Sequence, residues 1–218
     1  MKRLRFEAIF GALLLAVFAV ICVWQIPGLA GARLTRAEID RYIAAIERLP
    51  FPPEEMRDAV PRIRAWAEAD DGKPVYMLNL MRYHEKVRTF PGSAPFTGTP
   101  REANAIYENA TMPLLLKTGG FPLFAGEVQG GNVMGFAPGQ DGWGRVLVIR
   151  YPSRRAFLDL VTDPAYAPAA PYKLMALDVV LVPSTGEIVL PNLWLAAGVV
   201  LLLVFATTCW IRAVRRTA

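Results

Sequence analysis

Cysteine and histidine are nearly absent, with two cysteines and one histidine in 218 residues. Cys22 and Cys209 sit inside separate apolar runs, where a free thiol behaves as a small apolar side chain. If those runs are membrane spans with both chain ends on one side, the two thiols fall near opposite leaflets. That separation far exceeds the ~7 Å Cα limit for a disulfide. The chain between the runs has no cysteine, so it has neither a disulfide framework nor a thiolate metal site. Also missing are an HExxH zinc motif, a nucleophile elbow and a Walker phosphate loop, so the motifs call for no metal and no cofactor.

Charge is missing from two long stretches. Ala8 to Trp24 has none and continues uncharged through Ala32, and Leu193 to Ile211 has only Thr207 and Thr208 as polar interruptions. About 20 apolar residues in a helix cross a bilayer core, so residues 8–32 and 189–211 are predicted spans. Lys2, Arg3 and Arg5 precede the first and Arg212, Arg215 and Arg216 follow the second. The positive-inside rule then assigns tails 1–7 and 212–218 to the cytoplasm and turns the middle of the chain outward from the cytoplasmic membrane. Trp24, Trp194 and Trp210 fall at span ends, where an aromatic belt lies. Taking the six tail cations and Glu7 out of the totals of 24 basic and 19 acidic residues leaves 18 of each. The net charge of +5 therefore reports topology and gives no reason to expect a nucleic-acid partner. A secretory signal peptide cleaved after Ala30-Gly31-Ala32 is the competing reading of the first run. Its length favours an uncleaved anchor.

Residues 33–72 read as a helical spacer. Thr35 and Glu38 form a capping box ahead of Ile39, Tyr42, Ile43 and Ile46 at helical spacing, and Pro61 is expected to kink or divide a second helix from Glu54 to Asp70. Residues 73–188 read as one α+β domain. Its most strand-like run is Gly144 to Ser153, with Val146, Val148 and Ile149 at the centre and Ser153 positioned to cap a helix. Pro74–Tyr83 and Phe121–Gln129 are further strands, with Asn132–Phe136 a candidate extension of the second into a hairpin. A helix opens at Thr99-Pro100 and closes at Gly119-Gly120, Tyr166–Met175 is proline-interrupted helix or coil, and Leu177–Pro183 is the last strand. The order strand, helix, strand, strand, helix, strand predicts a ferredoxin-like βαββαβ domain with both helices on one face of a four-stranded antiparallel sheet. The other face would need a partner, and a second copy is the simplest supply.

Met77-Leu78-Asn79-Leu80-Met81-Arg82-Tyr83, Tyr107, Gly119-Gly120, Trp143, Arg150-Tyr151-Pro152-Ser153 with Ala156, and Asp163-Pro164-Ala165-Tyr166 together resemble the dimeric α/β-barrel superfamily. The likeness is greatest to its thirteen-thirty domain-of-unknown-function family and covers Pro74 to Pro183. It implies a homodimer whose sheets face each other. Superfamily relatives include small monooxygenases, isomerases and haem enzymes, whereas the nearest family has no assigned chemistry. The two spans, the spacer helices and the loop from His84 to Gly98 depart from the simple soluble form.

The predicted site follows from strand alternation. With a wholly apolar helix-covered face, Asn79 and Arg150 would point together into the barrel, joined by Glu127 and Asp178. A few polar groups within apolar walls suit a small ligand, and a buried Arg150–Glu127 or Arg150–Asp178 pair suits a structural role equally well. His84 reads as a general base or haem ligand in its functional form, and as a solvent-exposed loop residue otherwise. These residues support a membrane-anchored module for a small apolar ligand or partner protein. The alternatives are a metal-independent enzyme acting on a small hydrophobic substrate and a purely structural dimerisation module.

Overall fold

A computed structural model describes residues 2–26, 33–135, 139, 141–187, 189 and 192–215. In chain order the elements are α1 (Lys2–Gln25), α2 (Arg36–Ile46), α3 (Pro53–Glu68), β1 (Val75–Tyr83), α4 (Pro100–Lys117), β2 (Phe121–Glu127), β3 (Arg145–Tyr151), α5 (Arg154–Thr162), α6 (Ala170–Ala176), β4 (Leu177–Ser184) and α7 (Leu193–Val214). They form two compact units, Met1–Gly31 with Glu187–Ala218, and Ala32–Gly186.

In the first unit α1 and α7 pack antiparallel. Phe10 stacks on Phe205 with ring centroids 6.2 Å apart, and the Arg212 guanidinium lies 3.7 Å from the Phe6 ring centre. Two glycines make the close approach. A Cβ on Gly11 would stand 3.3 Å from Phe205, and one on Gly198 would stand 3.1 Å from Phe18, so each helix offers a glycine to a phenylalanine of the other, as close packing of apolar helices favours. Phe6–Gln25 and Leu193–Val214 are long and apolar enough to cross a membrane, with mean hydropathies of 2.6 and 2.2. The small-residue run Ala30-Gly31-Ala32 lies outside the described residues.

The second unit is built on one four-stranded antiparallel sheet in the order β2-β3-β1-β4. Strands β1 and β2 are joined through α4, and β3 and β4 through α5 and α6, and each connection skips one strand. Local sequence accounts for the helix starts. Thr35 and Thr99 each accept a bond from the third helical residue while Glu38 and Glu102 reach back, and Ser153 caps α5. Gly119, at φ +80°, ends α4 in a conformation that costs other residues more. α3 runs unbroken through Pro61; the backbone bond this forfeits lies on an exposed turn, where water can satisfy the freed carbonyl. Among the described residues, 132–135 form no strand, and Phe136 lies outside them.

Register decides which side chains share a face. Val75, Met77, Asn79 and Met81 of β1 pair across from Tyr151, Ile149, Leu147 and Arg145 of β3, and Val75, Met77 and Met81 are buried in the core with residues of α4, α5 and α6. The opposite face carries Leu78, Leu80, Val146, Val148, Phe124, Val180 and Val182. Among the described residues of this unit no helix lies over it, and Phe124, Val180 and Val182 are exposed.

The helices of residues 33–72 are part of this core. Ile39, Tyr42, Ile43 and Ile46 of α2 gather with Ala67 around Leu158, which has no exposure. Polar contacts fasten the same layer: Arg155 meets both Glu38 oxygens at 2.6 and 3.0 Å, the Tyr42 hydroxyl donates to Asp159 at 2.5 Å, and Arg154 lies over Trp66 and donates to its carbonyl.

Candidate binding site

The centre of β1 breaks its own apolar pattern. Asn79 is 2% exposed and stands between Met77 and Met81 on the helix-covered face. Its amide nitrogen donates to the carbonyls of Met77 (3.1 Å) and Leu147 (3.3 Å), which fixes the side chain and leaves the amide oxygen facing outward from the strand. That oxygen accepts from the Lys173 ammonium of α6 at 3.2 Å, and the same ammonium lies 5.1 Å from the Tyr107 ring centre of α4. Tyr107 packs edge-on against Tyr166 at 6.1 Å. Burial holds the Tyr151 and Tyr166 phenols far above their ordinary range, so both stay neutral.

α4 continues this polar layer. Asn104, Glu108 and Thr111 recur at helical spacing on its inner side, and Asn104 and Thr111 are buried. The Asn104 amide nitrogen donates to Glu108 (3.0 Å) and to the Tyr83 hydroxyl (3.3 Å), and Glu108 pairs with Arg145 at 3.1 Å. The Asn104 amide oxygen has no hydrogen-bond partner although the residue is only 2% exposed. Buried polar atoms are normally satisfied, so this oxygen can accept a hydrogen bond from a water or a bound molecule. Lys173, Tyr107 and Glu108 are half-buried, so the layer runs from the surface to the buried amides.

The five residues predicted from sequence do not gather at one point: His84 and Asp178 meet, with the imidazole Nδ1 3.9 Å from a carboxylate oxygen, and the other three lie apart from them. Asn79 and Arg150 lie on opposite faces, because Asn79 pairs across from Leu147 whereas Arg150 pairs across from Tyr76 and Phe121. The helix-covered face is thus not wholly apolar, which corrects the premise that joined them. Arg150 is 9% exposed, with its guanidinium 5.6 Å from the Phe121 ring centre. Neither expected carboxylate pairs with it. Glu127 sits opposite Arg145 and bridges to Arg101 at 2.9 Å, with both side chains largely exposed. Asp178 sits opposite Arg82 and bridges to Arg88 at 3.2 Å. His84 is no exposed loop residue: its side chain is 4% exposed, and its Nε2 lies 3.2 Å from the Leu174 carbonyl. Burial pushes its pKa below the usual value, and the nearby Arg88 acts in the same direction. Among the described residues no three His, Cys, Asp or Glu side chains gather as metal ligands.

Lys173, Asn104, Glu108 and Arg145 are therefore the site residues that sequence reasoning missed. One signal was available: Asn104, Glu108 and Thr111 recur on the side of α4 that also carries Leu115, a polar stripe where a core stripe belongs.

No protein-family model matches this chain, and no curated protein matches it. Among solved structures it is similar to RPA0582, a protein of unknown function from Rhodopseudomonas palustris. The match has 26% identity and a TM-score of 0.50, covering 65% of this chain and 98% of that one. The methylated form of RPA0582 matches at 26% identity over 62% of this chain and 93% of that one, with a TM-score of 0.48. SnoaB, a cofactor-independent oxygenase from Streptomyces nogalater, is 15% identical over 55% of this chain and 99% of that one, with a TM-score of 0.35. That superposition is too loose to bear on chemistry. Nearly the whole of RPA0582 thus corresponds to about two thirds of this chain, and neither form brings an assigned activity.

Proposed function

We propose that this protein is a membrane-anchored small-molecule-binding module. Its sheet unit is a ferredoxin-like domain of the dimeric α/β-barrel kind, paired through the uncovered sheet face with a second copy. α1 and α7 cross the cytoplasmic membrane and carry the domain on its outer side. The strand order and crossovers support the fold. The antiparallel packing of α1 and α7, with Phe6 beside Arg212, supports placing both basic tails on one side. Half-buried Leu78, Leu80, Val146 and Val148 beside exposed Val180 and Val182 make an apolar surface of the kind that associates in water.

The binding reading rests on the buried Asn104 amide oxygen, which no group among the described residues satisfies. A layer built only for stability would be apolar there, because a buried acceptor without a donor costs about 1–3 kcal/mol. A bound molecule removes that cost. Native mass spectrometry of the full chain extracted from its host membrane in mild detergent tests this. Wild type is expected to carry a small molecule at a fixed stoichiometry, and a folded Asn79→Leu, Asn104→Leu double variant is expected to lack it. A wild-type protein with the bare chain mass, or a variant that keeps the adduct, overturns the reading.

A further inference from the structure

Resting on that binding reading, we propose the chemical class of the ligand: a small monoanion that also carries a hydroxyl or amine hydrogen, with its anionic group at Lys173 and its donor at Asn104. The polar valences left open in the layer carry the argument. Glu108 and Arg145 neutralise each other at 3.1 Å, Arg101 is taken by Glu127, and Arg88 by Asp178. Lys173 has no carboxylate within 4.0 Å among the described residues. Its ammonium meets an amide oxygen and the face of Tyr107, neither of which cancels a full charge. The charged groups of the layer thus leave one positive charge, which a monoanion matches and a neutral molecule does not.

The second open valence has the opposite sense. The Asn104 amide oxygen accepts nothing, while its nitrogen is occupied by Glu108 and Tyr83. Reversing the amide would set an oxygen against the Glu108 carboxylate, so the nitrogen faces Glu108 and the oxygen is the open acceptor. A ligand there must supply a hydrogen. Asn104 and Tyr107 are one turn apart on α4, with Cβ atoms roughly 5–6 Å apart, and the Lys173 ammonium is 5.1 Å from the Tyr107 ring centre. One small molecule lying along Tyr107 therefore spans both valences. The Tyr83 and Tyr107 rings beside them favour a flat aromatic body.

Three probes separate charge from hydrogen bonding: 4-hydroxybenzoate carries both groups, benzoate only the charge, and 4-hydroxybenzyl alcohol keeps the phenol with a neutral hydroxymethyl group in place of the carboxylate. Titration calorimetry on the full chain in detergent is expected to rank 4-hydroxybenzoate at least tenfold above each of the others. Lys173→Met should erase the preference for the acid over the alcohol, Lys173→Arg should restore it, and Asn104→Leu should erase the preference for the hydroxylated acid. Each variant is first checked for an unchanged melting profile, and Lys173→Gln replaces Lys173→Met if the latter fails to fold. Equal affinity for the acid and the alcohol, or an acid preference that survives in both charge-removing variants, overturns the proposal. So does a wild-type protein that binds none of the three. A co-purified molecule that proves neutral also overturns the ligand class and leaves the binding reading standing, whereas an empty protein in the extraction experiment removes both.

Discussion

Glu38 performs two tasks that one pair of substitutions separates. Its carboxylate closes the capping box of α2 through Thr35 and holds Arg155 of α5 with both oxygens. The Arg155 hydrogen bond, followed by those from Thr35, lowers its pKa from 4.5 to about 2. At about 1.36 kcal/mol per pH unit, a depression of that size is on the order of 3 kcal/mol before screening. The Glu38 and Arg155 side chains are 26% and 22% exposed, so solvent reduces it to about 1–2 kcal/mol. Because the folded pKa lies below the unfolded one, this stability is fully present above pH 4.5 and is lost as pH falls toward 2. Glu38→Gln keeps a residue that can close a capping box and removes only the charge. It is expected to cost about 1–2 kcal/mol at pH 7 and almost nothing near pH 2. Glu38→Ala removes the cap as well and should cost about 1 kcal/mol more at every pH. Urea denaturation of the full chain in mild detergent, followed by near-ultraviolet circular dichroism from pH 2 to 7, measures both. A Glu38→Gln cost that does not change with pH, or a Glu38→Ala variant no weaker than Glu38→Gln, would refute the assignment.

Leu158→Ala should cost about 2–5 kcal/mol, because Leu158 is fully buried where α2 and α3 meet α5; a loss below 1 kcal/mol would mean those helices are not core. Leu80→Asp with Val148→Asp places two carboxylates on the uncovered sheet face and should convert a dimer to a folded monomer by light scattering. A mass unchanged by that pair removes this face as the interface. His84→Gln should flatten the decline in stability as pH falls below 6.5, since burial depresses the imidazole pKa in the folded state and the unfolded chain takes up the proton first. The same slope in variant and wild type would show that the buried imidazole is not its source, even with Arg88 and Asp178 beside it.

The order and kind of the elements were legible because their signals are local. Capping boxes at Thr35 and Thr99, the serine cap at Ser153, the glycine stop at Gly119 and the long uncharged runs each act within a turn or two of chain, and the observed elements begin and end beside them. Local rules left one alternative open at Pro61, to kink or to divide its helix: α3 is not divided there, and the proline sits on an exposed turn.

Faces and partners were another matter. Alternation sorts the side chains of one strand into two sets, but cross-strand register decides which set of β1 joins which set of β3, and the register put Asn79 beside Leu147 and Arg150 beside Tyr76. The partners of Glu127 and Asp178 came from α4 and from the segment after β1, and the partners of Asn79 and His84 came from α6 and the residues around it. Composition, charge balance and punctuation along the chain were thus sufficient for the two apolar helices, the four strands and their order. The polar layer of Asn79, Asn104, Glu108, Arg145 and Lys173 exists only once four elements distant in sequence, β1, α4, β3 and α6, are stacked, because a hydrogen bond depends on distance and direction in space and those are properties of the packed fold.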